Sequence, residues 1–337
     1  MDAVTHALAC VTIGRAGLAK TTRLAMPMLI VAGVAADADW LSAYWGPASF
    51  LKWHRTATDS LIGAAVIAVV TAALFTLWGR RRPSEPVRFW RALVVCGAAA
   101  TTHVLLDLTN SYGVKLLWPF RQRWLATDLL APLDIWLLGL LAFGALVPWI
   151  FRLATEEIGA KANPAASPTA SIVLGLAMFY VGWRWQQHEH ALALLRSRLF
   201  HGETPLTVGA FPQATALFSW AGVVDTQNTL QTLSVPLLFP GEFDPLSARV
   251  FYKPDPSAAL NAARATKTAA TFLSFARFPW AEVEKTDRGF RVVLMDMRFD
   301  QELSGSHRVS AVIELNGQSQ VVNEELRFGS IASESQE

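Results

Sequence analysis

The chain divides into two parts that differ in their pattern of apolar and polar residues. Through most of the first 190 residues apolar side chains run almost without interruption, and Ser60–Gly79 contains no charged residue at all. A helix needs about 20 mainly apolar residues to cross the hydrocarbon core of a bilayer. The pattern therefore predicts a membrane-spanning helix at Ser60–Gly79.

Five weaker apolar stretches accompany this one. They are Ala3–Ala19, Leu24–Tyr44, Phe89–Leu108, Leu129–Phe151 and Ala170–Trp185. The first is short for a span, so we expect it to be tilted or only partly inserted. Together the six stretches predict a polytopic bundle of about five or six membrane helices over residues 1–190.

The pattern changes after about residue 200, where turn residues separate shorter segments. Phe290–Phe299 and Arg308–Leu315 alternate apolar and polar residues and predict strands, whereas Ser257–Arg277 predicts one amphipathic helix. We therefore expect a mainly α protein, in which the membrane helix bundle is followed by a soluble α+β domain at residues 200–337.

Basic residues give an orientation for this bundle. The loop at residues 80–91 contains five arginines, whereas the loops on the opposite side of the predicted spans contain fewer basic residues. Cytoplasmic loops of membrane proteins are enriched in Lys and Arg. We therefore expect an inner (plasma) membrane protein with the loop at residues 80–91 in the cytoplasm and the C-terminal domain outside it.

Composition supports a lipid environment and narrows the classes of partner. The chain is 52% hydrophobic and only 17% charged, with a formal net charge of +2. No stripe of Lys and Arg with interleaved aromatic residues is present, so nucleic acid is not an expected partner. Cys10 and Cys96 lie alone in apolar stretches, which excludes a disulfide framework or a CxxC site built from this chain.

The chemistry resides in a few His and Asp residues at one predicted membrane face. His103 and Asp107 are four residues apart and therefore project from the same face of a helix. Placing the other spans by the charge rule brings further groups to this face. The metal-ligand candidates are His6, Asp37, Asp39, His54, His103 and Asp107. Imidazole with carboxylate suits zinc, and also manganese or iron.

Simpler interpretations exist for each of these residues taken alone. A single His6 in a helix is more often a hydrogen-bonded core residue, Asp2 suits a helix N-terminus, and many helices contain His and Asp four apart by chance. Asp37 and Asp39 would diverge on an ideal helix, so either the helix ends there or the two serve different ions or shells. The shared depth of the six candidates is what favours a metal site.

Several motifs around these residues resemble a known family. Thr5-His6, Ala36-Asp37-Ala38-Asp39, the stretch His54 to Ser60, His103 to Asp107, and Asn110-Ser111-Tyr112-Gly113 look like the YdjM/YbcI-type membrane-bound metal-dependent hydrolases over about the first 150 residues. That family is distantly similar to the zinc-dependent phospholipase C and single-strand nuclease superfamily. Thr58-Asp59-Ser60 departs from it, because Asp59 stands where the family usually has histidine.

The resemblance implies a hydrolase with a cluster of divalent ions. By the resemblance the ligands would be His6, Asp37 or Asp39, His54, His103 and Asp107, with Asp107 between two ions. We expect Arg55 and Asp59 to act in catalysis. We expect metal-activated water to cleave a phosphate ester of a lipid-related substrate at the outer face of the inner membrane.

Two other functions remain open from the sequence. The same acids and histidines could form a metal-sensing or ion-conducting path in a non-catalytic membrane protein, or the chain could be a scaffold that has lost turnover because Asp59 replaces histidine. A conducting path should have polar groups through the whole membrane thickness, whereas here they lie on one side. The sequence identifies neither the substrate nor a protein partner.

Overall fold

A computed structural model describes residues 1–81, 86–157, 167–238, 243–299 and 309–328. The residues group into two compact units that are interleaved in sequence. One unit comprises Met1–Trp40 and His54–Trp185, and the other comprises Leu41–Trp53 and Gln186–Glu337. A short segment from the N-terminal half therefore belongs to the unit that contains the C-terminal region.

The N-terminal half is helical. Its helices are α1 (Ala3–Ala16), α2 (Ala25–Val34), α3 (Pro47–Trp53), α4 (Leu61–Gly79), α5 (Phe89–Leu108), α6 (Ile135–Glu157) and α7 (Pro168–Arg196). A 3-10 helix at Ala35–Trp45 continues directly from α2. The core between α1, α2, α4 and α5 consists mainly of alanine, with Cys10 and Cys96 fully buried in it, so these helices pack closely.

Three helical stretches in the described part of the chain are long and apolar enough to cross a membrane. They are Ala25–Trp45, Leu61–Gly79 and Phe89–Leu108. This confirms a membrane-type helical region with three candidate spans, whereas the finer prediction of five or six spans stays a prediction. Helix α1 and the apolar part of α6, Ile135–Val147, are shorter.

The predicted fifth span begins too early. Leu129 and Leu130 are not helical, because their N–H groups donate to the Thr109 carbonyl at 2.7 and 3.0 Å. The helix begins only at Ile135, where the Asp134 carboxylate accepts from the Leu137 N–H at 2.9 Å and caps the first turn. An apolar run alone does not distinguish such an extended segment from the helix that follows it.

Gly33 on α2 lies directly against Cys10 on α1. A Cβ atom placed there would lie 2.2 Å from the Cys10 sulfur, so the contact requires glycine. We expect Gly33→Ala to lower the free energy of unfolding by about 1–3 kcal/mol through overpacking. Gly97→Ala is the matched control, because nothing lies within 4 Å of its Cβ position. Thermal unfolding in detergent would measure both, and equal midpoints would contradict this packing.

The C-terminal region is rich in β-sheet, as expected. Two four-stranded antiparallel sheets follow the chain order, one with β1 (Thr207–Pro212), β2 (Ser219–Asp225), β3 (Thr229–Pro236) and β4 (Arg249–Tyr252), the other with β5 (Pro279–Thr286), β6 (Gly289–Asp296), β7 (Val309–Asn316) and β8 (Val321–Phe328). The predicted strands correspond to β6 and β7, although Met297–Phe299 forms a 3-10 turn and Arg308 lies outside the described residues.

The prediction of one helix at Ser257–Arg277 is wrong. Two helices occupy it, α8 (Ala258–Arg264) and α9 (Lys267–Phe275), because the Thr266 hydroxyl accepts from the Ala269 N–H and begins a new helix. Helix α3 packs against α9 and β8 within this unit, and its Phe50 ring contacts Phe328 edge to face.

Candidate metal centre

The centre is formed by residues from α1 and α5. His103 and Asp107 lie one turn apart on α5, with 3.6 Å between His103 Nε2 and Asp107 Oδ2. His6 on α1 places its Nε2 atom 3.3 Å from Asp107 Oδ1 and stacks its ring on that of His103. One ligand atom from each of the three lies within 4.8 Å of the others, and all three residues are buried. The three therefore have the arrangement that a shared cation requires.

The hydrogen bonds of His103 leave an electron pair facing carboxylates. Its Nδ1 atom lies 2.7 Å from the Gly33 carbonyl oxygen, which can only accept, so Nδ1 carries the proton. In a neutral ring the Nε2 atom is then an acceptor, yet it faces Asp59 at 3.0 Å as well as Asp107. Acceptors at these distances need a cation between them, either an additional proton on the ring or a metal ion. A carbonyl behind the ring is the usual support of a metal-bound histidine.

Asp59 lies directly beside His103, with 3.0 Å between Asp59 Oδ1 and His103 Nε2. Burial raises the pKa of its carboxyl, but the contact with His103 and the positive charge of Arg55 outweigh burial, so the pKa lies below its usual value. The Thr58 hydroxyl also donates to Asp59 Oδ2 at 3.1 Å. The residue that stands in place of a family histidine therefore lies beside the candidate ligands, where it offers a hard anionic oxygen.

Other buried acceptors at the centre lack protein donors. Among the described residues, neither ring nitrogen of His6 makes a hydrogen bond of acceptable geometry, and Asp37 Oδ2 accepts none. Asp37 lies close enough to His103 and Asp59 for their charges to act on it. Buried polar atoms are nearly always satisfied in proteins, so these atoms are available to bind a water molecule or a cation.

Asp39 has a different role from Asp37. The α-helix ends at Val34 and continues as a tighter 3-10 helix, so the two carboxylates separate. Asp39 accepts from the His54 Nδ1 at 2.8 Å and from the Arg55 N–H at 2.6 Å. Asp39 thus supports the loop after α3, whereas the roles of Asp37 and Asp39 as metal ligands stay predictions.

His54 is buried beside Asp39. Burial lowers its pKa below the usual value, and the hydrogen bond to Asp39 only partly opposes this. A neutral imidazole whose Nδ1 donates to a carboxylate presents Nε2 as a metal-ligand atom. The cluster of His6, His103 and Asp107 does not include His54, so its role as a ligand stays a prediction.

Among the described residues of the centre, Arg55 provides the only guanidinium group. Its Nη2 atom lies 3.3 Å from Asp107 Oδ1, and its Nη1 donates to Asn110 Oδ1 at 2.7 Å. The Nε–H group is buried and makes no hydrogen bond with any described residue. The backbone has φ 55°, an uncommon conformation for a residue other than glycine. Arg55 is thus held in place with one donor unused.

Asn110 connects these groups, and sequence reasoning gave it no role. Its Oδ1 atom accepts from Arg55 and from the Tyr112 N–H at 2.9 Å, while its amide nitrogen lies 3.4 Å from Asp107 Oδ1. Asn110 is fully buried directly after α5. Its position in the Asn-Ser-Tyr-Gly motif was the available signal, but the motif alone does not show which atoms the amide joins.

The remaining predicted or neighbouring groups have mainly structural contacts. Asp2 caps α1, where it accepts from the Thr5 N–H at 2.9 Å, in agreement with its simpler interpretation. The Met1 nitrogen contacts Asp107, and the Met1 carbonyl oxygen accepts from Arg55 Nη2 at 3.4 Å. The start of α1 is therefore joined to the centre at two points.

The charges around the centre fit a divalent cation. Arg55 is the nearby described side chain with a permanent positive charge. It lies among four carboxylates, those of Asp37, Asp39, Asp59 and Asp107. Uncompensated charge in a buried site is costly. The donor set contains imidazole and carboxylate, as in sites for zinc, manganese or iron, so the residues present fit such an ion.

Comparisons with known proteins give one family. A model of the YdjM inner membrane protein family matches residues 1–191, which include every candidate residue of the centre. No curated protein and no solved structure matches the chain.

Proposed function

Because the chain belongs to the YdjM inner membrane protein family, we propose that it is a membrane metal-dependent hydrolase that cleaves a phosphate ester of a lipid-related substrate. The observation that carries this proposal is that one buried place combines atoms suited to bind a cation with a donor suited to bind an anion. Ligand atoms of His6, His103 and Asp107 converge within 4.8 Å, and neither ring nitrogen of His6 has a hydrogen-bond partner among the described residues. The Arg55 side chain, which contacts Asp107, has an unused Nε–H. A cation and an anionic ligand together would satisfy both.

His6, His103 and Asp107 would hold the ion, with Asp37 and Asp59 beside them. A divalent ion there would supply Lewis-acid activation of water and of a phosphate oxygen. The protein groups have separate tasks. The Asp59 carboxylate would accept a hydrogen bond from an attacking water, and the Gly33 carbonyl keeps His103 in the tautomer that presents Nε2.

Arg55 would bind the anionic oxygens of the substrate. Arginine matches phosphate through directed N–H donors, and its Nε–H has no other partner among the described residues. Asn110 fixes the guanidinium through Nη1 and contacts Asp107 at the same time, so it couples the anion-binding group to the metal ligand. The positions of these donors are set before substrate arrives, as electrostatic catalysis requires.

The position of the centre favours a substrate from the membrane surface. Asp59 lies two residues before the start of α4, and Asp107 lies in the last turn of α5, so both lie at ends of candidate spans. Such ends lie near the lipid headgroups. A phosphate ester that is part of a lipid, or derived from one, would reach the centre at this level.

Metal analysis of the full-length protein purified in detergent tests the proposal. We expect about one or more zinc, manganese or iron ions per chain in the wild type, and less than about a tenth of that in His103→Ala. His190→Ala is the matched control, because His190 is exposed and lies outside the cluster. The wild type and the control should also hydrolyse a generic phosphodiester such as bis(p-nitrophenyl) phosphate, and His103→Ala should not.

The outcomes separate the alternatives. Bound metal without hydrolysis in the wild type would reject the enzyme and favour a metal-sensing or scaffold protein, in which Asp59 has replaced a histidine needed for turnover. Equal trace metal in all three proteins would reject the metal centre itself.

A further inference from the structure

The loop between α5 and α6 combines basic and aromatic side chains. Residues 115–124 read KLLWPFRQRW and contain three cations, three aromatic residues and no acid. The Lys115 ammonium lies 4.9 Å from the centre of the Trp124 ring. Aromatic and basic side chains of this kind are typical of the boundary between hydrocarbon and headgroups.

Hydrogen bonds fix this loop at the ends of two candidate spans. The N–H of Leu61, the first residue of α4, donates to the Leu116 carbonyl at 3.0 Å, and Val114 pairs with Leu125 at the base of the loop. Because α4 begins and α5 ends at this place, the loop lies at the depth where the apolar spans give way to headgroups. The Lys115 N–H also donates to the Arg55 carbonyl at 3.1 Å.

The tip of the loop exposes both apolar and charged groups. Phe120 is 83% exposed, the highest value in the loop for a large apolar side chain, and Leu117 is also exposed. Arg121 and Arg123 are exposed and form no ion pair with any residue in the described parts of the chain. A soluble anion would bind the two arginines but would leave the exposed Phe120 ring in water. A phospholipid offers a phosphate to the arginines and acyl chains to the ring.

We propose that the loop Lys115–Trp124 binds anionic phospholipids in the leaflet next to the candidate metal centre. Arg121 and Arg123 contact the headgroup phosphates, and Phe120 enters the region of the upper acyl chains. This contact goes beyond the proposed function and does not depend on turnover. It would keep anionic lipid concentrated beside Arg55, to whose backbone the loop is bonded.

A fluorescent label at Gln122 can report the lipids around the loop. Gln122 is exposed, and both native cysteines are buried, so Gln122→Cys provides a selective thiol. The labelled full-length protein is placed in phosphatidylcholine vesicles that contain either spin-labelled phosphatidylglycerol or spin-labelled phosphatidylcholine, with the spin label near the headgroup. Quenching then measures which lipid lies next to the loop.

We expect phosphatidylglycerol to be enriched about fivefold over phosphatidylcholine around the label, since each basic residue near the surface attracts anionic lipid. Arg121→Gln with Arg123→Gln should reduce this ratio to about one. Arg80→Gln with Arg81→Gln is the matched control, because these arginines follow the other end of α4, about 28 Å away. Phe120→Ser should reduce quenching by both lipids.

Equal quenching by the two lipids in the wild type, or a ratio that survives removal of Arg121 and Arg123, would overturn the proposal. The absence of quenching by either lipid would show that the loop does not lie at the headgroups. All of these readings are obtained without substrate. A failed enzyme assay would therefore not contradict the lipid contact, and a failed lipid assay would not contradict the hydrolase.

Discussion

Arg55→Gln is expected to reduce phosphodiester hydrolysis by about a hundredfold or more. The change removes the guanidinium that contacts Asp107 and Asn110 and whose Nε–H is aimed at no other described group. It also leaves neighbouring carboxylates with less compensating charge, and breaking a buried pair costs about 3–5 kcal/mol. The rate at saturating substrate and the unfolding midpoint of purified protein measure the two effects.

Arg55→Lys separates charge from geometry. Lysine keeps one positive charge but loses the planar set of donors, so we expect it to recover most of the stability and little of the rate. Arg91→Gln provides a control for loss of an exposed arginine near the start of α5. A normal rate in Arg55→Gln, measured on protein that remains folded, would exclude Arg55 from substrate binding.

Asp107→Asn is expected to abolish the stabilisation of the protein by metal. Asp107 contacts both His6 and His103, so its carboxylate is the common member of the cluster. A ligand present at about a thousand times its Kd stabilises a folded protein by about 4 kcal/mol. We therefore expect chelation to lower the unfolding midpoint of the wild type and to leave Asp107→Asn unchanged.

Asp128→Asn is the matched control for this experiment. Asp128 is buried and has φ 56°, which asparagine tolerates, and it lies outside the cluster. It should retain the full response to chelation. If Asp107→Asn responded to chelation as the wild type does, the ion would bind elsewhere and the centre described here would be wrong.

The membrane helices were the most predictable part of the fold. Phe89–Leu108 was located from its apolar run to the residue, because a long, mainly apolar stretch has few alternative structures. The start of α6 and the break at Thr266 were missed, since each depends on a single side chain that caps a helix. Asp and Thr are also common in loops, so the sequence pattern alone does not show which of them caps a helix.

The centre was predictable in its residue types but not in its connections. The spacing of His103 and Asp107 gave their common face, and the structure places His6 against them. The division between Asp37 and Asp39 depends on the change to a 3-10 helix after Val34, for which the sequence has no clear signal. The role of Asn110 depends on how the chain returns after α5, a tertiary property.

The position of α3 has a consequence for any shortening of the chain. Helix α3 lies within the matched region of the family, at residues 1–191, yet it buries Phe50 and Leu51 among elements of the compact unit that contains the C-terminal sheets. The C-terminal sheets therefore share a compact unit with a segment of the region that matches the family. Removal of the sheets would expose Phe50 and Leu51, so a chain shortened in this way would need changes within residues 41–53 as well.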